Sequence, residues 1–416
     1  MTSTDAAAPE ISPRSQTQRR ILIVLVTSQV LSGAGLAAGI TVGALLAQDM
    51  LGSTGLAGLP SALFTAGSAL AAVAVGRISQ ARGRRPGLAA GYLTGAVGGA
   101  GVIAAALADS PVLLFIALFV YGAGSATNLQ ARYAGADLAA PDRRGRAVST
   151  VLVATTLGGV VGPNLTSSMG DLAHALGIPR LAGPFLLATV AYAAAALVLA
   201  IWLRPDPLLL ARTLDTEQPL DSGTSGTEVT AQARGAGVVL GALIMVVTQV
   251  VMVAIMTMTP IHMHDHGHTT AASGLVIGVH VAAMYLPSPL TGRLADRYGR
   301  IKVAIASGIT LLAAGILAAT APADSVAPLA LALGLLGLGW NLGLVAGTAI
   351  ITDTVPLATR AKTQGMVDVS IAIAGATGGL ASGLVVAAAS YPVLALTGGI
   401  LALAVLPAIA ATASSR

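Results

Sequence analysis

Three ionisable side chains lie inside long apolar runs of this chain, where a charge is costly and so indicates function: Arg132, His280 and Asp368. Arg132 lies about one and a half turns from the end of its run, and Asp368 lies a similar distance inside another run. One expectation is that Arg132 and Asp368 meet when the protein closes at the end near which both residues lie. The other is that Asp368 exchanges a proton while Arg132 holds an anion. The rival interpretation is an interfacial arginine and a local packing acid.

His280 lies near the middle of its run, and an imidazole at that depth can titrate near neutral pH and pass a proton. A neutral histidine that is hydrogen-bonded to a neighbouring helix explains it equally well. Asp368 and His280 are therefore the two candidates for proton transfer.

A histidine cluster follows another apolar run, and its imidazole and carboxylate groups suit Zn, Ni, Co or Cu. The cluster comprises His262, His264, Asp265, His266 and His268. Alternate spacing puts its members on one face of an extended segment, and a helix puts His262 with His266. Three interpretations stay open: a metal site, a pH-sensitive gate and a solvated loop without a ligand.

Glycine, arginine and aspartate residues recur at a constant offset of 216 positions, which indicates an internal repeat. The matched pairs are Gly76 with Gly292, Gly83 with Gly299, Arg84 with Arg300, Asp137 with Asp353, Arg144 with Arg360, and Gly162 with Gly378.

The composition requires these residues to be held by membrane helices. The 416 residues are 55% hydrophobic and only 9% charged, which excludes an ordinary soluble enzyme, and the lack of cysteine excludes thiol catalysis and Cys-ligated metals. Since crossing a bilayer takes about 20 apolar residues, the chain predicts twelve spans. Spans 1 to 12 are predicted at 21–47, 55–76, 87–108, 111–138, 147–170, 182–203, 236–260, 270–291, 302–321, 326–352, 364–388 and 392–413.

The spans fall into two six-helix bundles, at 21–203 and 236–413, preceded by an N-terminal tail at 1–20. Residues 204–235 are rich in Ser, Thr, Gly, Asp and Glu, and predict a solvated linker. Both bundles start on the same side, so the repeat is parallel.

Basic residues predict the orientation of the chain, because Lys and Arg near helix ends are retained in the cytoplasm. With both termini cytoplasmic, 20 of the 22 basic residues lie in the tails and the even-numbered connections. The sequence therefore predicts a multi-pass protein of the plasma (inner) membrane, in contact with lipid and not with nucleic acid.

The loop after span 8 reads Gly292-Arg-Leu-Ala-Asp-Arg-Tyr-Gly-Arg300 and resembles the cytoplasmic-loop signature of the major facilitator superfamily of secondary transporters. Its first-half copy reads Gly76-Arg-Ile-Ser-Gln-Ala-Arg-Gly-Arg84, in which Gln80 replaces the family's acid. The resemblance covers essentially the whole chain. It implies an all-α fold of two parallel-repeat bundles.

The resemblance also implies that loop arginines pair with acids at the inner ends of spans 4 and 10 in one conformational state. The alternative is a set of charges that only fix topology. The expected latch residues are Gly76, Arg77, Gln80, Gly83, Arg84, Asp137, Arg144, Gly292, Arg293, Asp296, Arg297, Gly299, Arg300, Asp353 and Arg360. With Gln80 in place of an acid, we expect the first copy to hold less firmly.

Gly158, Gly162 and Pro163 in span 5 are similar to the glycine-proline signature of drug and metabolite antiporters in this superfamily, and simple helix packing is the alternative. In the family, spans 1, 4, 7 and 10 line a central cavity. The cavity candidates are Gln29, Asn128, Gln130, Arg132, Thr248, Gln249, Trp340 and Asn341.

The resemblance implies a monomeric, alternating-access transporter that exports a small organic solute in exchange for protons, without a cofactor. Transport of a divalent metal or metal chelate through the histidine cluster is the alternative. An enzyme is disfavoured, because the chain has no Gly-x-Ser-x-Gly elbow, no His-Glu-x-x-His helix and no nucleotide-binding Gly-Lys-Ser/Thr loop.

Overall fold

The computed structural model describes residues 13–41, 46, 49–50, 59–216, 227–322 and 324–414. All regular secondary structure in these residues is helical, which confirms the predicted all-α class. The α-helices, numbered in chain order, are α1 Pro13–Thr41, α2 Leu59–Arg82, α3 Arg84–Leu107, α4 Pro111–Ala136, α5 Arg144–Asn164, α6 Thr166–Ala175, α7 Gly183–Trp202, α8 Pro207–Thr216, α9 Thr227–Asp265, α10 Thr270–Tyr285, α11 Ser288–Tyr298, α12 Arg300–Thr320, α13 Val326–Thr354, α14 Arg360–Ala388, α15 Tyr391–Ala402 and α16 Val405–Ser414.

Among the described residues, ten helical segments are long and apolar enough to cross a membrane, in rough agreement with twelve predicted spans. The other two, at 21–47 and 147–170, run into residues whose chain or side chains lie outside the described part. Several helices extend past the apolar runs by a turn or more, as α2 does to Arg82. Hydropathy ends a span at its first charged residue, whereas the helix itself continues through Arg77 to Arg82.

Proline interrupts two spans. Span 8 divides into α10 and α11 at Leu286 and Pro287, and span 12 divides into α15 and α16 ahead of Pro407. Proline has no N–H, and its ring clashes with the carbonyl four residues earlier. Length and hydropathy alone do not reveal such breaks.

The linker predicted at 204–235 is not wholly solvated. Residues 207–216 form α8, in which Leu208 and Ala211 are buried, and α9 begins at Thr227. The prediction missed α8 because its apolar face is only one turn wide and is flanked by polar residues. Residues 217–226 lie outside the described part of the chain.

Buried apolar side chains form two clusters, one for each half of the chain. The first runs from Ile21 to Ala211, and the second runs mainly from Leu240 to Val405. Helices within a half approach closely where a glycine permits it: a Cβ at Gly67 of α2 would overlap the Phe119 carbonyl of α4. Small residues provide this close packing within the membrane.

Candidate functional site

The two halves meet along a seam at the end of the molecule where α2, α4, α11 and α13 end. Here α2 packs on α14, and α5 packs on α11. A Cβ at Gly76 would lie 2.9 Å from the Ala361 carbonyl, and one at Gly292 would lie 2.5 Å from the Gly145 carbonyl. Only glycine allows the backbones of the two halves to come this close.

Gln80 lies at the first of these contacts and caps the N-terminus of α14. Its Oε1 accepts from the backbone N–H of Ala361 at 2.8 Å and of Lys362 at 3.3 Å. Its Nε2 donates to the carbonyls of Ala358 at 2.6 Å and Leu357 at 3.3 Å. One amide thus satisfies donors and acceptors of the opposite half at once.

Asp296 occupies the equivalent place in the second half and caps the N-terminus of α5. Its two carboxylate oxygens accept from the N–H of Gly145 and Arg146, each at 2.9 Å. These residues are offset by 216 from Ala361 and Lys362, so the repeat extends to the atoms that are capped. A negative charge at a helix N-terminus is favourable, and Asp296 supplies one where Gln80 does not.

Arginine–aspartate pairs extend both caps. Arg84 bonds Asp137 at 2.8 Å, and Arg300 lies 3.1 Å from Asp353, so each loop arginine pairs within its own half. Each aspartate also faces an arginine of the other half. Arg144 lies 2.6 Å from Asp353, and Arg360 lies 3.9 Å from Asp137.

We call Gln80, Arg84, Asp137 and Arg360 the first latch, and Asp296, Arg300, Asp353 and Arg144 the second latch. Gly83 and Gly299 turn the chain between their helices with φ of 98° and 96°, in the region that favours glycine. Arg77, Arg293 and Arg297 are exposed and lie outside both latches. They take no part in the contacts described above, and their place in the latch stays a prediction.

The linker helix α8 contacts the first latch. Arg212 Nη2 donates to the Gln80 carbonyl at 2.9 Å, and its Nε donates to the Leu357 carbonyl of the second half at 3.4 Å. The carboxylate of Asp206, just before α8, accepts from the Arg85 N–H at 2.7 Å. Sequence reasoning missed both residues, since charged residues in a polar linker carry no distinguishing pattern.

Deeper in the seam, Arg132 and Asp368 form an ion pair between the halves. Arg132 Nη2 lies 2.7 Å from Asp368 Oδ1, and both side chains are almost fully buried. The Tyr133 hydroxyl also donates to Oδ1 at 3.2 Å, while Oδ2 is buried without a hydrogen-bond partner among the described residues. The structure therefore brings together the two charges that the sequence singled out, and leaves one acceptor atom open.

Arg132 makes further contacts around this pair. Its Nε donates to Thr348 Oγ1 at 3.0 Å, and its guanidinium lies 4.1 Å from the centre of the Tyr133 ring. Position 348 is the repeat equivalent of position 132, so these residues meet on the axis that relates the halves. That offset was the signal that could have identified Thr348. Tyr133 carried no such signal.

The remaining cavity candidates separate into different surroundings. Gln29 lies within the first half, where its Nε2 donates to the Asn128 carbonyl at 3.1 Å and to Thr155 Oγ1 at 3.1 Å. Gln130 is bound within its own half, because its Nε2 donates to the Ala72 carbonyl of α2 at 2.7 Å. These groups make the interhelical hydrogen bonds that were the alternative interpretation.

In the second half, Thr248 faces α13, where a Cβ at Gly343 would lie 2.5 Å from its Oγ1. Asn341 donates to the Met284 carbonyl at 2.7 Å and to Ser288 Oγ at 2.6 Å, beside the break in span 8. Asn341 therefore holds helices together, whereas Thr248 Oγ1 is buried without a hydrogen-bond partner among the described residues.

Trp340 and Gln249, in contrast, bond each other across α13 and α9: the indole Nε1 donates to Gln249 Oε1 at 2.8 Å. Trp340 and Asn341 are adjacent in sequence and so project from different faces of α13. Hydropathy does not predict which face of a helix points toward which neighbour.

His280 is fully buried between α10 and α13. Its Nδ1 donates to the Leu333 carbonyl at 2.9 Å, and its Nε2 has no partner among the described residues. This geometry matches the hydrogen-bonded histidine of the alternative interpretation, and it lies apart from Arg132 and Asp368.

The histidine cluster does not assemble a ligand set. Within the described part of the chain, no three His, Asp or Glu side chains are placed to hold a metal ion. Helix α9 continues to Asp265, so His264 points away from His262, whose ring stacks on Tyr391 at 4.3 Å and lies 4.4 Å from His266. The predicted set of His262, His264, Asp265, His266 and His268 is thus distributed around a helix end, and the metal interpretation is unsupported.

Gly158, the first residue of the glycine-proline signature in span 5, lies where α5 contacts α1. A Cβ at Gly158 would lie 2.2 Å from the Val30 carbonyl, so glycine is required where these helices cross. The surroundings of Gly162 and Pro163 lie outside the described side chains.

These features define a helical membrane protein built from two repeated bundles, with a buried ion pair and paired polar contacts between them. The chain belongs to the Major Facilitator Superfamily, whose family model matches residues 25–287 and 241–414. It is a multi-pass membrane transporter, a secondary transporter by general type, and not an enzyme.

Three curated relatives agree with this assignment. The chain is 57% identical to the uncharacterized MFS-type transporter YdeG of Bacillus subtilis, over 96% of this chain and 93% of that one. It is 54% identical to YddS of the same organism, over 96% and 92%. It is 34% identical to the riboflavin transporter RfnT of Brucella anthropi, over 84% and 85%.

Solved structures of the family share the fold. The human organic anion transporter MFSD10 superposes with a TM-score of 0.74 at 16% identity, covering 94% of this chain and 99% of that one. The proton:xylose symporter XylE superposes with a TM-score of 0.75 at 17% identity, covering 94% and 95%.

Proposed function

We propose that this protein exports a small organic solute in exchange for protons by alternating access. It would act as a monomer in the bacterial plasma membrane, with both termini and both latches in the cytoplasm. The observation that carries the proposal is the buried Arg132–Asp368 pair, which joins the halves at 2.7 Å and leaves Asp368 Oδ2 unpartnered.

The unpartnered oxygen is the atom at which Asp368 would take up a proton. Protonation removes the carboxylate charge and with it most of the attraction to Arg132, so the seam between the halves weakens. The latches then separate and the central site opens to the cytoplasm. Loss of the proton there restores the pair and closes that side.

The cycle gives solute and proton opposite directions. With the latches closed, Asp368 is protonated from outside; with the latches open, the proton leaves to the cytoplasm as the solute enters the site. Re-formation of the ion pair closes the cytoplasmic side and carries the solute outward. The glycine contacts of α5 with α1 and of α11 with α5 support this motion, because they keep each bundle and the seam closely packed.

Riboflavin is the first solute to test, because a relative that is 34% identical carries the name of a riboflavin transporter. Trp340 and Gln249, which bond each other at 2.8 Å, provide an aromatic ring and an amide that are compatible with such a solute.

The experiment is flux in proteoliposomes under an imposed pH gradient. Asp368→Asn should abolish proton-driven flux and leave solute binding in detergent intact, since Asn keeps the shape and loses the titratable charge. Asp109→Asn, in an exposed turn, is the matched control and should transport normally. Unchanged proton coupling in Asp368→Asn would remove Asp368 as the proton carrier.

A further inference from the structure

A tier of three side chains lies above the ion pair: Gln249 of α9, Tyr285 of α10 and Trp340 of α13. The indole Nε1 of Trp340 donates to Gln249 Oε1 at 2.8 Å. The rings of Tyr285 and Trp340 lie 5.8 Å apart, centre to centre, at an interplanar angle of 72°. The amide and both rings are thus held in one arrangement.

The position of the tier follows from helix geometry. Trp340 precedes Thr348, the Arg132 partner, by eight residues on α13, which is about 12 Å along a helix. Gly375, beside Gln249, follows Asp368 by seven residues on α14, about 10 Å. Residues spaced by seven or eight share a helix face, so the tier and the ion pair lie along the same faces of α13 and α14, about two turns apart.

The tier offers hydrogen-bond donors that the protein does not use. Because Gln249 Oε1 is occupied by the indole, the amide presents its Nε2 group, which makes no hydrogen bond within the described residues. Gly375 keeps space there, since a Cβ would lie 3.2 Å from that Nε2. Gln249 and Tyr285 are both half-buried, so a solute can reach them, whereas Trp340 is only 4% exposed and packs behind them.

We propose that this tier binds the planar heteroaromatic ring of the transported solute. The ring would stack against Tyr285, whose own ring packs edge-on against Trp340, and a carbonyl oxygen or ring nitrogen at its edge would accept from Gln249 Nε2. Aromatic faces select a flat ring, and a fixed amide donor selects an acceptor at its edge. The inference rests on the proposed transport function and assigns its solute class.

Because the chain has few tryptophans, binding at the tier can be followed by tryptophan fluorescence. The chain has two tryptophans, and Trp202 is 52% exposed at the end of α7, so Trp202→Phe leaves Trp340 as the single reporter. Riboflavin, lumazine and xanthine are titrated into this variant in detergent, with xylose as a non-aromatic comparison. We expect saturable quenching of Trp340 emission by at least one heteroaromatic compound and none by xylose.

Substitutions then locate the binding, with affinity measured by equilibrium dialysis. Gln249→Leu and Tyr285→Leu should each weaken binding by about 3- to 10-fold, through loss of the donor or of the stacked ring. Tyr285→Phe should retain most of the affinity and shows that the site still folds. Tyr298→Leu, which removes an exposed tyrosine at the end of the same span, should bind normally.

Absence of saturable binding by all three compounds would overturn the proposal, and so would unchanged affinity in both Gln249→Leu and Tyr285→Leu. Binding is measured without a pH gradient, so it is separable from proton coupling. Normal binding together with flux that ignores the gradient would refute the proposed exchange mechanism and leave this solute class standing.

Discussion

The two latches use the same backbone geometry with different chemistry. Gln80 and Asp296 each cap a helix of the opposite half through equivalent N–H groups, but one does so with an amide and the other with a charge. The first latch buries its Arg84–Asp137 pair completely, whereas the Arg300 and Asp353 side chains are 17% and 33% exposed. The repeat therefore preserves where the halves touch, and not how strongly each contact depends on charge.

The expectation that the first copy holds less firmly, because it lacks the acid, stays a prediction, and the contacts of Gln80 argue against it. Gln80 accepts from the same two N–H groups and adds donors to two carbonyls, a role that no carboxylate can fill. The linker helix adds Arg212 to this latch only. How firmly each latch holds can be measured with variants that disturb equivalent residues of the two.

Loss of the buried Arg84–Asp137 pair should have the largest effect on stability. Asp137→Ala leaves the Arg84 charge buried without its partner, which costs about 3–5 kcal/mol, whereas the partly exposed Asp353→Ala should cost about 1 kcal/mol or less. Thermal unfolding in detergent measures both. Equal losses of stability in the two variants would show that burial does not distinguish the latches.

Substitutions at the glycine contacts between the halves should have the second-largest effect. In Gly292→Ala, the new methyl would lie 2.4 Å from Ser149 Oγ and 2.5 Å from the Gly145 carbonyl, and in Gly76→Ala it would lie 2.9 Å from the Ala361 carbonyl. Overpacking typically costs about 1–3 kcal/mol, so both should open the seam, Gly292→Ala further.

Opening of the seam can be measured by spin labels, because the chain has no cysteine of its own. Labels at Arg82→Cys and Arg297→Cys, both exposed and in different halves, should move apart in these variants. An unchanged distance in Gly292→Ala would contradict the close approach of α5 and α11.

Restoring the family's acid should weaken the first latch. In Gln80→Glu, one oxygen keeps the N–H contacts, but the other faces the carbonyls of Ala358 and Leu357, with a loss of about 1–3 kcal/mol. Asp296→Asn should lose about 0.3–1 kcal/mol of helix-terminal charge interaction. The distance between the same two labels measures the effect of both substitutions. A shorter distance in Gln80→Glu would show that glutamate closes the first latch better than the glutamine does.

The linker contact should have the smallest effect. Arg212→Ala removes two hydrogen bonds to carbonyls of opposite halves, and a shift of about 1 kcal/mol toward the open state is expected. Arg77→Ala, an exposed arginine outside both latches, is its control. Equal label distances in Arg212→Ala and Arg77→Ala would show that α8 does not stabilise the closed seam.

Much of the fold was predictable because a bilayer imposes the length and composition of every span. The residues of the latches were predictable because they occur twice, as Arg84 and Arg300 do. Arg132 and Asp368 were predictable from depth alone, since both lie equally far from one membrane face. These signals depend on spacing along the chain.

Rotation about the helix axis was not predictable. Gln130 faces Ala72 of the same half, and Asn341 faces the break in span 8, although both lie on spans that line the centre. Hydropathy shows that a span is apolar, but it does not show which of its polar residues faces the other half of the protein. The short helix α8 was also missed, because its burial depends on the latch beneath it.

Arg212 reaches both halves through backbone carbonyls, those of Gln80 and Leu357. A contact of this kind imposes no requirement on the side chains at positions 80 and 357, so substitutions there would not be matched by compensating changes at position 212. Covariation between positions, which reveals contacts by their correlated side chains, would therefore pass over Arg212, a residue of the linker that spans the two halves.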